Sequence, residues 1–385
     1  MTAISNTRIG SLDFVKGLAM VIMALDHVRD YFHAAANLFD PGDPALSALP
    51  IFFTRWITHF CAPAFSFLAG TSAFLIGRRK TKQQLSLFLL KRGTWLVIIE
   101  FTVVNFAWYF DIGFSTVGLM VIWSLGISMI CLAALIHLPK RVLLVFCLVL
   151  IFGHNLLDYI TIHGNILWSI LHQQHDYPLG NGRILHIVYP LIPWMAIMGM
   201  GYYFGSYYNS SVLPRKRRKD FNFIGLAAIL LFLILRFSNL YGEPKLFIQY
   251  ESFSQNIISF LDTTKYPPSL LFVLMTLGIA FILIANTESA KGKFVQFIST
   301  FGRVPFFYYI IHLYLIHFVA MIAAQFSGAG WQKMILPTWD LRGYGFSLTV
   351  VYLVWVAVIV LLYPLCKWFD SYKQEHKEKW WLGYL

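Results

Sequence analysis

The sequence predicts an all-α, polytopic membrane helix bundle of about ten transmembrane helices with both termini cytoplasmic, and three observations carry that prediction. Of 385 residues, 58% are hydrophobic and only 12% charged, where a soluble domain has about 25% charged residues. Apolar runs of roughly 20 residues, the length that crosses a bilayer core, recur along the chain. Lysine and arginine fall mostly in alternate connections between those runs. A large water-soluble enzyme is thereby excluded, and with no soluble module to carry it, nothing supports nucleic-acid binding. Glycine and proline are scattered without forming a linker, so residues 1–385 read as one integral-membrane domain.

The apolar runs place spans at about 11–33, 51–77, 85–109, 114–136, 140–157, 185–208, 221–238, 267–286, 303–325 and 344–367. Lipid offers an unpaired backbone group no water, so each span is expected to be helical. The first follows a short polar start and lacks a small-residue cleavage site, so it reads as a retained helix and not a signal peptide. With the N-terminus inside, the inner segments hold Arg8; Arg78, Arg79, Lys80, Lys82, Lys91 and Arg92; Lys140 and Arg141; Arg215 to Lys219; Lys291, Lys293 and Arg303; and Lys367, Lys373, Lys377 and Lys379. These are 21 of the 30 basic residues, which sets the orientation. Most of the +12 net charge is then topological. The longest outer connections are 158–184 and 239–266; in the first, Ile166, Leu167, Ile170 and Leu171 near Trp168 predict an amphipathic helix along the outer surface. Trp380 and Trp381, with Lys377 and Lys379, read as an interfacial anchor. No internal repeat stands out, which weakens a transporter built from inverted halves. Cys61, Cys131, Cys147 and Cys366 lie in or beside apolar spans without CxxC pairing, so neither a disulfide framework nor a zinc site is expected.

Ionisable groups inside a span are costly and point to function. Lys16 and His27 are eleven residues apart, which puts them on one helix face about 16 Å apart along the axis. Asp26 and Arg29 flank His27. The ordinary alternatives are an Asp13–Lys16 pair at the helix start and a hydrogen-bonded core histidine at position 27. In the second span Arg55 and His59 share a face, with Arg55 near the depth of His27 and His59 about 6 Å deeper. Glu100 and His317 come to nearly the depth of His27, and His312 to that of His59. His312 and His317, five apart, point to different faces, so at most one is expected to line a shared site; each of these three also reads as a polar group bonding a neighbouring helix. The basic segment Arg78–Arg79–Lys80 with Arg92 and Arg303 serves either topology and anionic lipid or a phosphate-bearing cytosolic ligand. His172, His175 and Asp176 lack the frame a metal needs, and no metal is expected.

The stretch Leu12-Asp13-Phe14-Val15-Lys16-Gly17-Leu18-Ala19-Met20, with Met23 and Asp26-His27, followed by Ala62-Pro63-Ala64-Phe65-Ser66-Phe67-Leu68-Ala69-Gly70, resembles the heparan-alpha-glucosaminide N-acetyltransferase catalytic-domain family in its bacterial form. Trp123-Ser124-Leu125-Gly126, Pro193-Trp194 and Gly302-Arg303-Val304-Pro305-Phe306-Phe307-Tyr308-Tyr309 with His312 extend the resemblance. The Lys16–His27 spacing is also similar to that of integral-membrane acyltransferase family 3. The resemblance implies a multi-pass protein of a bacterial cytoplasmic membrane that moves an acetyl group from cytosolic acetyl-CoA to a sugar amine or hydroxyl of a glycoconjugate presented outside. Lys16, Arg78, Arg79, Arg92 and Arg303 would hold the nucleotide phosphates. His27 would be general base or transiently acylated nucleophile, with Asp26 or Glu100 orienting it; His59 a second base or proton shuttle; Arg55 the oxyanion's partner; and His312 and His317 a possible additional site. The chain departs from the pattern in two ways. Lys16 stands where an arginine is usual, which loses bidentate phosphate recognition. Residues 34–50 contain no histidine, whereas the animal lysosomal enzymes carry their reactive one in that connection, so His27 and His59 compete for the role. The other reading of the buried charges is a proton relay in a transporter or exporter of a small polar or anionic solute. Oligomerisation is left open by the sequence.

Overall fold

A computed structural model describes residues 9–36, 38–335 and 341–383; Arg8, of the expected inner segments, and the side chain of Trp380, of the expected anchor, lie outside the described parts. Helix α1 spans Gly10–Phe32, α2 Leu49–Gly77 and α3 residues 82–109, followed by strand β1, Thr116–Leu119. Helices α4 (Val121–Leu135), α5 (Lys140–Tyr159) and α6 (Ile166–Leu171) lead to strands β2 (His175–Gly180) and β3 (Arg183–Ile187). The rest is helical: α7 (Trp194–Gly205), α8 (Pro214–Ser238), α9 (Phe253–Leu261), α10 (Leu270–Thr287), α11 (Lys293–Arg303), α12 (Pro305–Phe326) and α13 (Leu348–Glu375).

Local chemistry explains several boundaries. Pro50 sits in the first turn of α2, where its missing N–H costs nothing. Thr81 and Gln84 form a reciprocal capping box at the start of α3. That helix carries a π-helical turn, Glu100–Val104, and stops where Phe110 turns left-handed at φ 44°.

Among the described residues, α2, α5, α8, α10, α12 and α13 are long and apolar enough to cross a membrane. The other four expected spans are charged, interrupted or short. Helix α1 holds Asp13, Lys16, Asp26, Arg29 and Asp30, α3 has its π turn, and α4 and α7 have 15 and 12 residues. The fourth and sixth spans, expected from 114 and 185, begin as β1 and β3. In β1 and β3, runs such as Thr116-Val117 and Ile184-Leu185 are short, apolar and partly β-branched, and periodicity alone cannot tell such a strand from the start of a helix. The expected surface helix in 158–184 is reduced to six residues, α6, before the β2–β3 hairpin. The sheet runs β1–β3–β2, with β1 parallel and β2 antiparallel to β3.

The core centres on α1, which packs against α2, α10, α11, α12 and α13 and is buried along most of its length. Enclosure by protein is what lets it carry charge. Its approach to α11 is set by glycine: a Cβ on Gly17 would collide with the Ile298 carbonyl, and one on Gly302 with that of Asp13. Small residues at such crossings let backbones touch without a side chain between them. Outward faces are apolar, with Leu226, Leu230 and Phe237 on α8 and Leu353, Val360 and Leu361 on α13 all exposed, a surface suited to lipid and unsuited to water.

Candidate active site

A cavity of about 2000 Å³ follows α1 from its first turn to its last. At one end it is lined by Lys16, Arg78, Arg79, Lys80, Arg92, Arg217, Arg303 and Lys373, with Asp13 and Glu288 as acids. Its waist is narrow in chemistry rather than mixed: Met20, Met23, Ala62, Phe65 and Ala69. The far end holds Asp26, His27, Arg29, Arg55, Lys265 and Tyr266. From Asp13 to His27 the helix rises about 21 Å, so the two polar ends are separated by most of a bilayer core.

Hydrogen bonds behind His27 fix its protonation pattern. His312 Nδ1 lies 2.8 Å from the Tyr308 carbonyl, which can only accept, so that nitrogen carries the proton. His312 Nε2 is then an acceptor, and its partner at 2.7 Å, His27 Nδ1, must be the donor. A neutral imidazole has one N–H, so His27 Nε2 is left with a lone pair. The indole of Trp108 packs edge-on against the His27 ring, 4.8 Å between centroids, and holds its plane. His27 lines the cavity while His312 stands behind it.

Beside this pair, Asp26 gathers three cations: Arg55 Nη1 at 2.5 Å, Arg29 Nη2 at 3.3 Å and Lys265 Nζ at 4.0 Å. Arg29 also bonds Asp30 at 2.5 Å. Every member of the cluster but Asp30 is largely buried, so the single carboxylate of Asp26 neutralises charge that would otherwise be stranded in a low-dielectric interior.

The remaining predicted residues separate from this cluster. The Glu100 carboxylate accepts from the Trp123 N–H at 2.7 Å, at the start of α4, where a helix N-terminus favours an anion. His317 turns both ring nitrogens to carbonyls, Ala107 at 2.8 Å and Met334 at 2.9 Å, and stacks on Phe110; this is a tie between segments. His59 is buried against Phe272, with 5.2 Å between ring centroids, and lines a second, smaller cavity. At the basic end Lys16 Nζ donates to Ser72 Oγ at 2.8 Å, Arg92 to the Gly383 carbonyl at 2.8 Å and Arg303 Nε to Asp370 at 2.5 Å. Arg78 reaches the Tyr208 carbonyl at 3.5 Å, and Arg217 is paired to Glu288.

Sequence reasoning missed Lys265, which falls in the connection 239–266 and is buried beside Asp26. It also missed the pairing of His27 with His312, 285 residues apart. The only available signal was depth, and that placed His312 with His59. In the outer connection, His172 bonds Asp158 at 2.8 Å and Asp176 pairs with His186. Among the described residues no group of three His, Cys, Asp or Glu is placed to hold a metal.

The family model described as Heparan-alpha-glucosaminide N-acetyltransferase, catalytic, matches residues 8–237. The match holds α1, α2 and α3 with His27, Asp26 and Arg55, and ends before Lys265, Arg303 and His312. No curated protein matches the chain.

Proposed function

The chain belongs to the heparan-alpha-glucosaminide N-acetyltransferase catalytic family, a transmembrane acetyltransferase family, and from that premise we propose that it transfers acetyl from cytosolic acetyl-CoA to a sugar amine or hydroxyl on the opposite side of a bacterial cytoplasmic membrane. The observation that carries this reading is the cavity's polarity. A cluster of lysine and arginine at one end, an apolar waist, and an imidazole with its ion cluster at the other match a nucleotide phosphate group, a flexible arm and a thioester in that order. Arg78, Arg79 and Arg92 would meet the phosphates, joined by Lys16 and by those Arg303 nitrogens not given to Asp370; guanidinium suits phosphate through bidentate bonds. The basic end then faces the cytosol, as the charge distribution requires.

At the far end the acceptor's amine or hydroxyl attacks the thioester carbonyl while His27 Nε2 takes its proton. Negative charge develops on the carbonyl oxygen beside Arg55 and Lys265. The tetrahedral intermediate collapses by breaking the C–S bond, and the coenzyme A thiolate leaves, protonated by the imidazolium that has just formed. His312 accepts the His27 Nδ1–H throughout, which keeps Nε2 basic and stabilises the imidazolium. The base is assigned to His27 rather than His59 because only His27 lines the large cavity.

The test is acetyl transfer from radiolabelled acetyl-CoA by protein reconstituted in liposomes. His27→Ala is expected to lose at least about 100-fold in rate, and His59→Ala to retain turnover at saturating acceptor. Full activity in His27→Ala sinks the assignment. Label retained on protein in the absence of acceptor, and lost in His27→Ala, would replace direct transfer with an acetyl-imidazole step.

A further inference from the structure

One face of the three-stranded sheet is a wall of the large cavity. Along β3, Leu185 and Ile187 pack with Leu119, Trp123 and Tyr177 into a small core of their own, so the alternate residues Ile184 and His186 face the other way, and both line the cavity. Asp176 of β2 stands directly opposite His186, lines the same cavity and accepts the His186 Nδ1–H. On the other flank the register neighbour is Gly118 of β1, which sets no side chain against the imidazole. The sheet is fixed beside the reactive end. Asn105, near the end of α3, donates to the Thr116 carbonyl and accepts from the Gly118 N–H, both at 2.9 Å, and Trp108 in the next turn packs against His27.

This pair has the construction of a base open to water. Donating Nδ1–H to a carboxylate leaves Nε2 of a neutral imidazole with its lone pair, and the carboxylate stabilises the imidazolium that forms when Nε2 takes a proton. The side chains of His186 and Asp176 are 31% and 60% exposed, so a proton taken there can pass to solvent, whereas His27 is buried. The other titratable or charged groups lining this end nearby are Tyr109 on α3 and Arg29, Asp30 and His33 on α1; Arg29 and Asp30 are bonded to each other. The chemistry has a place for such a base. An amine of pKa about 8 is mostly ammonium at neutral pH, and it must lose one proton before its nitrogen can attack. His27 cannot receive that proton, because its Nε2 must be free for the one lost during attack.

We propose that His186 is a second catalytic base, positioned by Asp176, which takes the surplus proton from an acceptor that arrives as an ammonium and releases it to the water outside. The inference rests on the acetyltransferase reading above, with an amine as nucleophile, and adds the group that readies that nucleophile. One N–H bond of the ammonium breaks, its electron pair stays on nitrogen, and the proton forms the Nε2–H of His186. The neutral amine then attacks the thioester while His27 takes the next proton and delivers it to the sulfur. The imidazolium of His186 returns its proton to solvent, so each acetyl transferred to an ammonium releases one proton on the acceptor's side.

The test follows acetylation across pH by full-length protein in detergent, with acetyl-CoA as donor, glucosamine as the amine probe and glucose as its hydroxyl counterpart. His186→Ala and His186→Gln can use only amine that arrives neutral. At about pH 6.5 that is roughly 3% of an amine of pKa about 8, so kcat/KM for glucosamine should fall about 30-fold, and by about pH 9 it should return to within about twofold of wild type. Imidazole added to the buffer should restore the low-pH rate of His186→Ala, because the site is open to solvent. Asp176→Asn should show a smaller loss with the same dependence on pH, and the acetyl-CoA KM should stay within about twofold throughout. Thermal melts confirm that each variant is folded. A wild-type pH profile in His186→Ala, a loss equal at every pH, no rescue by imidazole, or wild type that acetylates glucose but not glucosamine overturns the assignment and leaves acetyl transfer standing. Wild type that releases no coenzyme A with either acceptor removes the acetyl-transfer reading itself.

Discussion

Replacing His312 with alanine tests the hydrogen-bond logic behind His27. The imidazole of His312 accepts the His27 Nδ1–H at 2.7 Å in a fully buried setting. The variant leaves that N–H unpaired, a penalty of about 1–3 kcal/mol. His27 can relieve it by moving its proton to Nε2, the nitrogen that must act as base. Either route raises the barrier by an amount of that order, which translates to roughly a 5- to 150-fold loss of kcat. His312→Gln offers a side-chain carbonyl in nearly the same place and should recover a large part of the loss. Steady-state acetylation by the reconstituted enzyme, with acetyl-CoA and acceptor both saturating, measures the effect, and the KM for each substrate should move little because His312 touches neither. A kcat for His312→Ala within twofold of wild type, or a His312→Gln variant no better than alanine, would refute the idea that His312 sets the tautomer of His27.

Three further outcomes follow from the same structure. Asp26→Asn leaves Arg29 its bond to Asp30 but strands Arg55 and Lys265 beside a neutral amide and should destabilise the protein by about 3–5 kcal/mol; adding Lys265→Met should return part of that, and thermal unfolding in detergent reads both. Gly17→Ala drives a methyl into the Ile298 carbonyl and should cost about 1–3 kcal/mol or prevent assembly, seen as a lower melting temperature. In the connection between α1 and α2, burial raises the pKa of the Asp40 carboxyl, but the Gly42 amide and the Lys245 ammonium outweigh it and hold the pKa below its ordinary value. A depressed folded-state pKa contributes stability above the unfolded value of about 3.9 and loses it as pH falls through the folded one. Wild type should therefore lose stability between about pH 5 and pH 3 that Asp40→Asn does not, by less than about 1 kcal/mol because the pair is half exposed.

What could be read from sequence was what depends on composition over a window. Runs of apolar residues located the helices, because a helix that crosses lipid must be apolar over the bilayer core, and residues 221–235 of α8 and 348–366 of α13 show that pattern plainly. The basic residues were found for a similar reason: Arg78 and Arg79 follow the end of α2, Arg303 ends α11 and Arg92 lies about three turns into α3, and all line the large cavity. Misreadings arose where a residue's meaning depends on a distant neighbour. Thr116–Leu119 becomes a strand only because Ile184–Ile187 lies alongside it, and neither run announces the other. Glu100, read from sequence as a group that could orient His27, bonds the first turn of α4, which no local pattern announces.

The depth argument failed for His312 in an instructive way. Counting about 1.5 Å per residue from the span ends grouped His312 with His59, yet it bonds His27. That count carries the error of every assumed boundary, several residues at each end, so it can place ionisable groups in the same half of a bundle but cannot pair them. Pairing is settled by the rotation of α12 about its axis, which sets His312 against His27 and puts His317, five residues on, against Tyr31 near the end of α1, the Ala107 carbonyl of α3 and that of Met334. The consequence for function is specific. Sequence supplied a list of costly groups at roughly one depth, and the fold divides that list into a hydrogen-bonded pair of histidines, an ion cluster around Asp26, a helix-start carboxylate, a segment tie, and a histidine at a smaller cavity. The last of these, His59, lines the smaller cavity and not the large one that His27 lines.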